Sequence, residues 1–345
     1  MVNFHGGDFC YGGSASPLED GANFVREQQD IIYVNFNYRL ETLGFMDFSK
    51  VERGEKYAQS GYLGILDQLL ALKWIKQNIE AFGGDSTNIT ACGCSSGSIC
   101  LAILATLDEA KGLFNRAFLF TDYHSALLTK AEKEQETNDL LTHFNAKTMS
   151  DLLNLSSEQL QEFINLNSDK YYGLGAGHGP IPENIEQAFA DGKAKDIDLV
   201  INIPSCEMGS WVMATGTGFT DDFFDNIWEN ISKDFSKTKC DAILNFCADC
   251  KGSAPTERNE EATEYYFFRE PSVELVKKQL KAGGKVRLSF WDAASPVQRF
   301  GASGYGAKCM FLGNLETGYQ LGYVKNATFS KVMQLLLANF VREGN

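Results

Sequence analysis

The sequence predicts an α/β fold, a mostly parallel, doubly wound sheet with helical cap insertions, and two observations carry that reading. Apolar, β-prone runs alternate with amphipathic stretches through the first third of the chain and return near 200 and 285; strands that alternate with helices are joined by crossovers and run parallel. The stretch 88–97, Asn-Ile-Thr-Ala-Cys-Gly-Cys-Ser-Ser-Gly, drives a strand directly into Gly-x-Ser-x-Gly, and the apolar segment 98–107 that follows contains neither Pro nor Gly. Strand, sharp turn and helix is the context in which a serine is presented at a strained elbow, with Gly93 and Gly97 letting the backbone pass close to its neighbours.

In chain order, residues 2–5 read as the end of a strand running into Gly6-Gly7-Asp8-Phe9, and 31–36 (Ile-Ile-Tyr-Val-Asn-Phe) as a buried strand. Between them, 18–28 reads as a short helical or irregular crossover. Ile65, Leu69, Leu72, Ile75 and Ile79 recur at three- and four-residue steps, which predicts a helix over 65–82, stopped by Gly83-Gly84-Asp85. After the elbow, 116–121 reads as another buried strand. The polar, helical texture of 130–187, clearest in 132–144 and 157–166, is that of a cap over the sheet. A strand follows at 198–203, helical stretches at 222–250 and at 257–281 with an interruption at Pro271, a last strand at 285–291 and a terminal helix at 329–342. No repeat, low-complexity tract or linker divides the chain, so one domain over 1–345 is expected.

Of the 345 residues 44% are hydrophobic, ample for a buried core, and the formal net charge of −14, with no Lys/Arg cluster, excludes a nucleic-acid binder. No stretch is long enough to span a bilayer, and the chain opens without a basic leader or apolar h-region, so nothing in it directs export or anchoring. Nine cysteines, an odd number, with Cys92, Cys94 and Cys100 crowding the elbow, read as reduced thiols and suggest a cytoplasmic setting. Cys240 and Cys247-Ala-Asp-Cys250 lack a nearby histidine or second pair and read as partly buried helix cysteines, not a metal site. No cofactor is expected.

Acyl transfer through a serine needs a base for the hydroxyl proton, a group that holds the base, and donors for the oxyanion. Ser95 is the candidate nucleophile, and the backbone N–H groups of Gly7, Asp8 and Ser96 are the candidate oxyanion donors. The only histidines are His5, His124, His143 and His178, so none lies beyond residue 178.

The residues resemble the type-B carboxylesterases, a family that includes the cholinesterases and the non-catalytic neuroligins. The similarity runs through His5-Gly-Gly-Asp-Phe9, Asn37-Tyr-Arg-Leu40 with Leu43-Gly-Phe45, Gly64-Ile-Leu-Asp-Gln68 with Ala71-Leu-Lys-Trp-Ile75, Asn78-Ile79, Phe82-Gly-Gly-Asp85, Gly93-Cys-Ser-Ser-Gly97 and Gly112-Leu-Phe-Asn-Arg116. It implies an α/β-hydrolase fold whose active members hydrolyse carboxylic esters at the foot of a gorge, without a cofactor. The departures are equally specific. The family writes Gly-Glu-Ser-Ala-Gly at the elbow, where this chain has Cys94 and Ser96 around Ser95. The third glycine of its oxyanion turn is here Asp8, whose carboxylate opposes a developing negative charge if it points inward.

The family's acid is a Glu directly before a Gly. Cys206-Glu207-Met208-Gly209 puts Met208 there and Glu207 one place early, a weak substitute because on a strand or tight loop one residue reverses side-chain direction. The family's histidine corresponds to Gly304 in 301–313. Of the four histidines, His5 reads as structural, His143 as solvated and His178 as a loop residue, while His124 follows the strand after the elbow. Family members also carry further strands and a disulfide ahead of the first strand, and a further segment after the terminal helix, so this chain reads as shortened, with 31–36 at a sheet edge. The expectation is a carboxylic ester hydrolase fold with a retained serine and weak or lost activity on small-molecule esters. The alternative is a non-catalytic homologue that binds a ligand or protein partner.

Overall fold

The computed structural model describes residues 1–122, 127–167, 173–208, 221–233, 235–251, 255–296, 301–320 and 322–344, with the backbone alone for 221–224, 248–251, 255–258 and 320. Among them, six strands form one sheet: β1 (Val2–Phe4), β2 (Val34–Asn35), β3 (Thr90–Cys94), β4 (Arg116–Phe120), β5 (Asp198–Pro204) and β6 (Val286–Trp291). Their order is β2-β1-β3-β4-β5-β6 and every pair is parallel. The helices that matter here are α1 (Ala22–Glu27), α2 (Leu63–Asn78), α3 (Ser96–Thr106), α4 (Lys130–His143), α5 (Met149–Leu153), α6 (Ser157–Leu166), α7 (Pro255–Glu264), α8 (Glu270–Lys281), α9 (Gly304–Leu312) and α10 (Ala327–Glu343).

The chain winds from β1 to β2 on one side, then returns to place β3 on the other side of β1. Winding therefore reverses between β1 and β3, and a crevice opens beyond their carboxyl ends, where doubly wound sheets place ligands. The register sets Phe4 beside Gly93, so the two turns that follow meet across that crevice.

Side chains alternate across each strand with period two, and the two faces bury separate layers. On one face Ala117 and Leu119 of β4 join Leu69 and Leu72 of α2 and Ile99 and Ile103 of α3. On the other, Phe118 and Phe120 pack against Met310 and Phe311 of α9 and Phe340 of α10. Helix α2 runs into a 3₁₀ turn, Ile79–Phe82, and stops at left-handed Gly83, as its spacing predicts. The cap helices α4, α5 and α6 each begin with a capping box, Thr129/Glu132, Thr148/Asp151 and Ser156/Gln159, and enclose their own apolar cluster around Leu140, Met149 and Phe163.

Three sequence expectations need amending. The strand expected over 31–36 is only Val34–Asn35 and half-buried, because it pairs on one side alone with the three-residue β1. Pro271 does not interrupt its helix: α7 passes through a π turn, Tyr265–Arg269, where the Glu270 amide bonds to the Tyr265 carbonyl, and α8 resumes with Pro271 in its first turn, the position where a missing N–H costs least. Helix α9 has no counterpart among the helices that the sequence predicts. It is buried nearly all round, so it shows no polar face to give it a period, and the Ser303 side chain caps it by accepting from the Gly306 amide.

Candidate active site

Ser95 sits at φ 57, ψ −128, between β3 and α3. A non-glycine residue in that region is strained by about 1–3 kcal/mol, and such strain persists only where the surroundings over-determine it. Here a Cβ on Gly93 would lie 2.6 Å from the Gly97 carbonyl carbon, and one on Gly97 2.4 Å from the Phe4 carbonyl oxygen, so neither glycine has a substitute. The Ser95 amide donates to the Phe120 carbonyl at 2.9 Å, and the Ser98 hydroxyl bridges the carbonyls of Gly93 and Phe120, each at 2.8 Å. The elbow is thus tied to β4. Cys94, directly before the serine, is fully buried, and burial pushes its thiol well above the ordinary range, so it is an inert wall residue.

Beyond β1, Gly7, Asp8 and Phe9 have φ of 122, 52 and 61, and the amides of Cys10 and Tyr11 both donate to the Gly7 carbonyl at 2.9 Å. This turns the carbonyl of Gly7 into the loop. A Cβ on Gly7 would lie 2.0 Å from the Tyr11 carbonyl oxygen, and one on Gly6 3.2 Å from the Ser95 Cβ, so only glycines bring this turn against the elbow. The candidate donors Gly7, Asp8 and Ser96 therefore belong to the two turns that meet at the switch point. Asp8 itself is half-buried. His5 is buried, stacks on Tyr38 at 4.3 Å and shares its Nδ1 with the Gly6 carbonyl at 2.9 Å; burial lowers its pKa and keeps it neutral, a structural arrangement.

Glu207 lies just after β5 and is buried. Its Oε2 accepts from the Gly304 amide at 2.5 Å and from the Thr121 hydroxyl at 3.3 Å. Despite the one-place offset the carboxylate faces residue 304, Glu207 standing past the end of β5. Met208 instead is buried, with its amide donating to the Glu264 carboxylate on α7. A Cβ on Gly304 would lie 1.8 Å from Thr121 Oγ1, 2.9 Å from Thr121 Cβ and 3.4 Å from Glu207 Oε2. Thr121 has φ 56, uncommon for a β-branched residue.

The other histidines lie elsewhere in the sequence. His124 and Gly209 lie outside the described residues. His143 is exposed at the end of α4, edge-on to Phe144 and Phe163. His178 is in a loop, as expected, with Nδ1 3.4 Å from the Asp47 carboxylate, and burial lowers its pKa. Among the described residues no cluster of His, Cys, Asp and Glu could hold a metal ion, and no helix is long and apolar enough to cross a membrane. Sequence reasoning missed Thr121 and Tyr305. The phenol oxygen of Tyr305 reaches 2.5 Å from where a Cβ on Gly6 would stand. Its position directly after Gly304 was the available signal.

Comparison with known proteins agrees with this geometry. The model of the carboxylesterase family matches residues 1–345. Para-nitrobenzyl esterase of Bacillus subtilis is 34% identical over 211 residues, 58% of this chain and 42% of that protein. A cholinesterase of Mus musculus is 26% identical over the whole chain and 61% of its own length. The chain thus spans about three-fifths or less of these curated relatives. The solved structure of a Geobacillus stearothermophilus carboxylesterase superposes with a TM-score of 0.85 at 27% identity, over 100% of this chain and 73% of that one. With its parallel sheet and flanking helices, the fold is that of the α/β-hydrolases, and the chain belongs to the carboxylesterase family.

Proposed function

We propose that this chain is a triad-deficient carboxylesterase homologue. Ser95 is its nucleophile, Gly7, Asp8 and Ser96 are its oxyanion donors, Glu207 is the acid, and Gly304 stands where the base belongs. Its substrates are small carboxylic esters, the class named by its relatives, and its turnover is weak or lost. The observation that carries this reading is the Gly304 amide on Glu207 Oε2: the acid is aimed at residue 304, which has no side chain to receive it. In one well-studied serine hydrolase, loss of the base alone costs about a millionfold in turnover.

Hydrolysis of p-nitrophenyl butyrate by the protein beside Ser95→Ala, with a serine-directed phosphonate on both, tests the reading at neutral pH. Matching slow rates support it, and a fast rate that Ser95→Ala abolishes overturns it. The same observation also favours the alternative, a non-catalytic homologue that binds a ligand or protein partner. Phosphonate labelling of the protein that Ser95→Ala abolishes favours the first reading, and no labelling of either favours the alternative.

A further inference from the structure

The inference that follows rests on Ser95 being the nucleophile and on residue 304 lacking a base. Tyr305 is the second residue of α9, and its ring packs on the apolar layer between the sheet and that helix. Its hydroxyl leaves that layer and ends over the oxyanion turn. The point where a Cβ on Gly6 would stand is 2.5 Å from Tyr305 Oη, 2.6 Å from the Cys94 carbonyl oxygen and 3.2 Å from Ser95 Cβ. Phenol and serine thus converge on one spot from α9 and from the elbow.

The phenol also interacts electrostatically with Glu207, the residue that faces position 304. A base in serine chemistry must stand between nucleophile and acid, within hydrogen-bond reach of the serine oxygen, and a tyrosine is one of the side chains able to serve.

We propose that Tyr305 is the proton-transfer group of this site, taking in Ser95 chemistry the part that a histidine at 304 would play. As phenolate, Tyr305 Oη accepts the Ser95 Oγ proton while Oγ bonds to the acyl carbon. The carbonyl pair moves onto the oxygen facing Gly7, Asp8 and Ser96. When the intermediate collapses, the carbon–alkoxide bond breaks, and the leaving oxygen takes the proton back from Tyr305. The phenolate is restored, and water repeats the sequence on the acyl-serine.

The groups facing the phenol set when this works. Cys94 from β3, Tyr11 from the oxyanion loop, Glu19 from the segment before α1 and Glu207 after β5 interact with it electrostatically, while Lys308 on α9 is paired with Glu19. Burial, then these neighbours, push the phenol well above its ordinary value. At neutral pH nearly all of it is protonated, so the site is close to idle, and its reactivity climbs with pH.

The test is labelling of Ser95 by ethyl p-nitrophenyl methylphosphonate, followed by intact mass. In that step the Oγ–P bond forms, the P–O bond to p-nitrophenolate breaks, and the proton passes through Tyr305 to solvent. A stoichiometric readout avoids the background hydrolysis of esters in alkali. Between about pH 7 and about pH 10.5 the labelling rate should rise roughly tenfold per unit without levelling, since the phenol of an unperturbed tyrosine titrates near 10. Tyr305→Phe, which keeps the packing and removes the oxygen, should lower it by about tenfold or more throughout, the lower end of what a general base contributes being about a hundredfold.

Trifluorotyrosine at 305, more acidic but close in shape, should move the rise to lower pH, a change that a purely structural role would not produce and that remains readable if Tyr305→Phe folds poorly. Equal labelling of Tyr305→Phe and wild type, or an unmoved profile with trifluorotyrosine, overturns the proposal. So does a wild type labelled no faster than Ser95→Ala at every pH, an outcome that leaves the triad-deficient reading standing. Fast wild-type labelling at neutral pH would instead sink that reading, while the Tyr305 variants would still decide this one.

Discussion

Replacing Gly304 by histidine should not rebuild the site unless Thr121 is changed with it. A new Cβ at 304 falls 1.8 Å from Thr121 Oγ1 and 2.9 Å from Thr121 Cβ. Rotation about χ1 can swing the hydroxyl away, but it leaves the Cβ, which the backbone fixes, too close. Gly304→His alone is therefore an overpacking change worth about 1–3 kcal/mol, read as a lower midpoint in urea. Thr121→Gly removes both atoms. It gives up one hydrogen bond to Glu207, about 1 kcal/mol, and relieves a left-handed β-branched residue, also about 1–2 kcal/mol, so by itself it should be close to neutral.

In the double variant the imidazole grows from a Cβ that stands 3.4 Å from Glu207 Oε2, a placement that allows the carboxylate to orient it. The assay is p-nitrophenyl butyrate hydrolysis at pH 7.5, with Ser95→Ala on each background. The double variant should gain about a hundredfold to ten-thousandfold over wild type, the range of a positioned base, and Gly304→His alone should gain far less and be destabilised. A single variant that is as stable as wild type and as active as the double would refute the steric argument. A stable, inactive double would refute the alignment of Glu207 with Ser95.

Other consequences concern the groups around the site. Lys308 and Glu19 form an ion pair that is almost wholly inaccessible, with Asn3 Nδ2 also donating to Glu19 at 2.7 Å; Lys308→Met strands the carboxylate and should cost about 3–5 kcal/mol in urea unfolding, much of it recovered in Lys308→Met/Glu19→Leu. No recovery in the double would mean that the pair is not the cause. Glu136 on α4, held beside Lys133, is pushed up from 4.5 to about 7, first by burial. The folded form therefore binds this proton more tightly than the unfolded chain, so its contribution is full below about pH 4.5 and is lost as pH rises towards about 7. Stability curves over that window should fall more steeply for wild type than for Glu136→Gln, and parallel curves would refute the assignment. Cys94 should resist iodoacetamide in the native protein and react on unfolding; rapid native alkylation, read by mass, contradicts its burial.

The sequence by itself determined the frame. Alternating apolar runs, the three- and four-residue spacing from Ile65 to Ile79 and the strand entering Gly93-Cys-Ser-Ser-Gly97 are local patterns, and local patterns follow from the backbone periods of helix and strand alone. The lack of any histidine beyond residue 178 was equally plain from the sequence. Tertiary structure alone decided where side chains aim. Glu207, past the end of β5, faces Gly304 despite its offset, and α9 is not predicted because a helix buried on every side carries no polar stripe. The Tyr305 hydroxyl and Ser95 both approach Gly6, from parts of the chain more than two hundred residues apart, because α9 packs against the sheet that carries the elbow. The direction of a side chain in a turn depends on φ and ψ that distant packing imposes, and no local period encodes it.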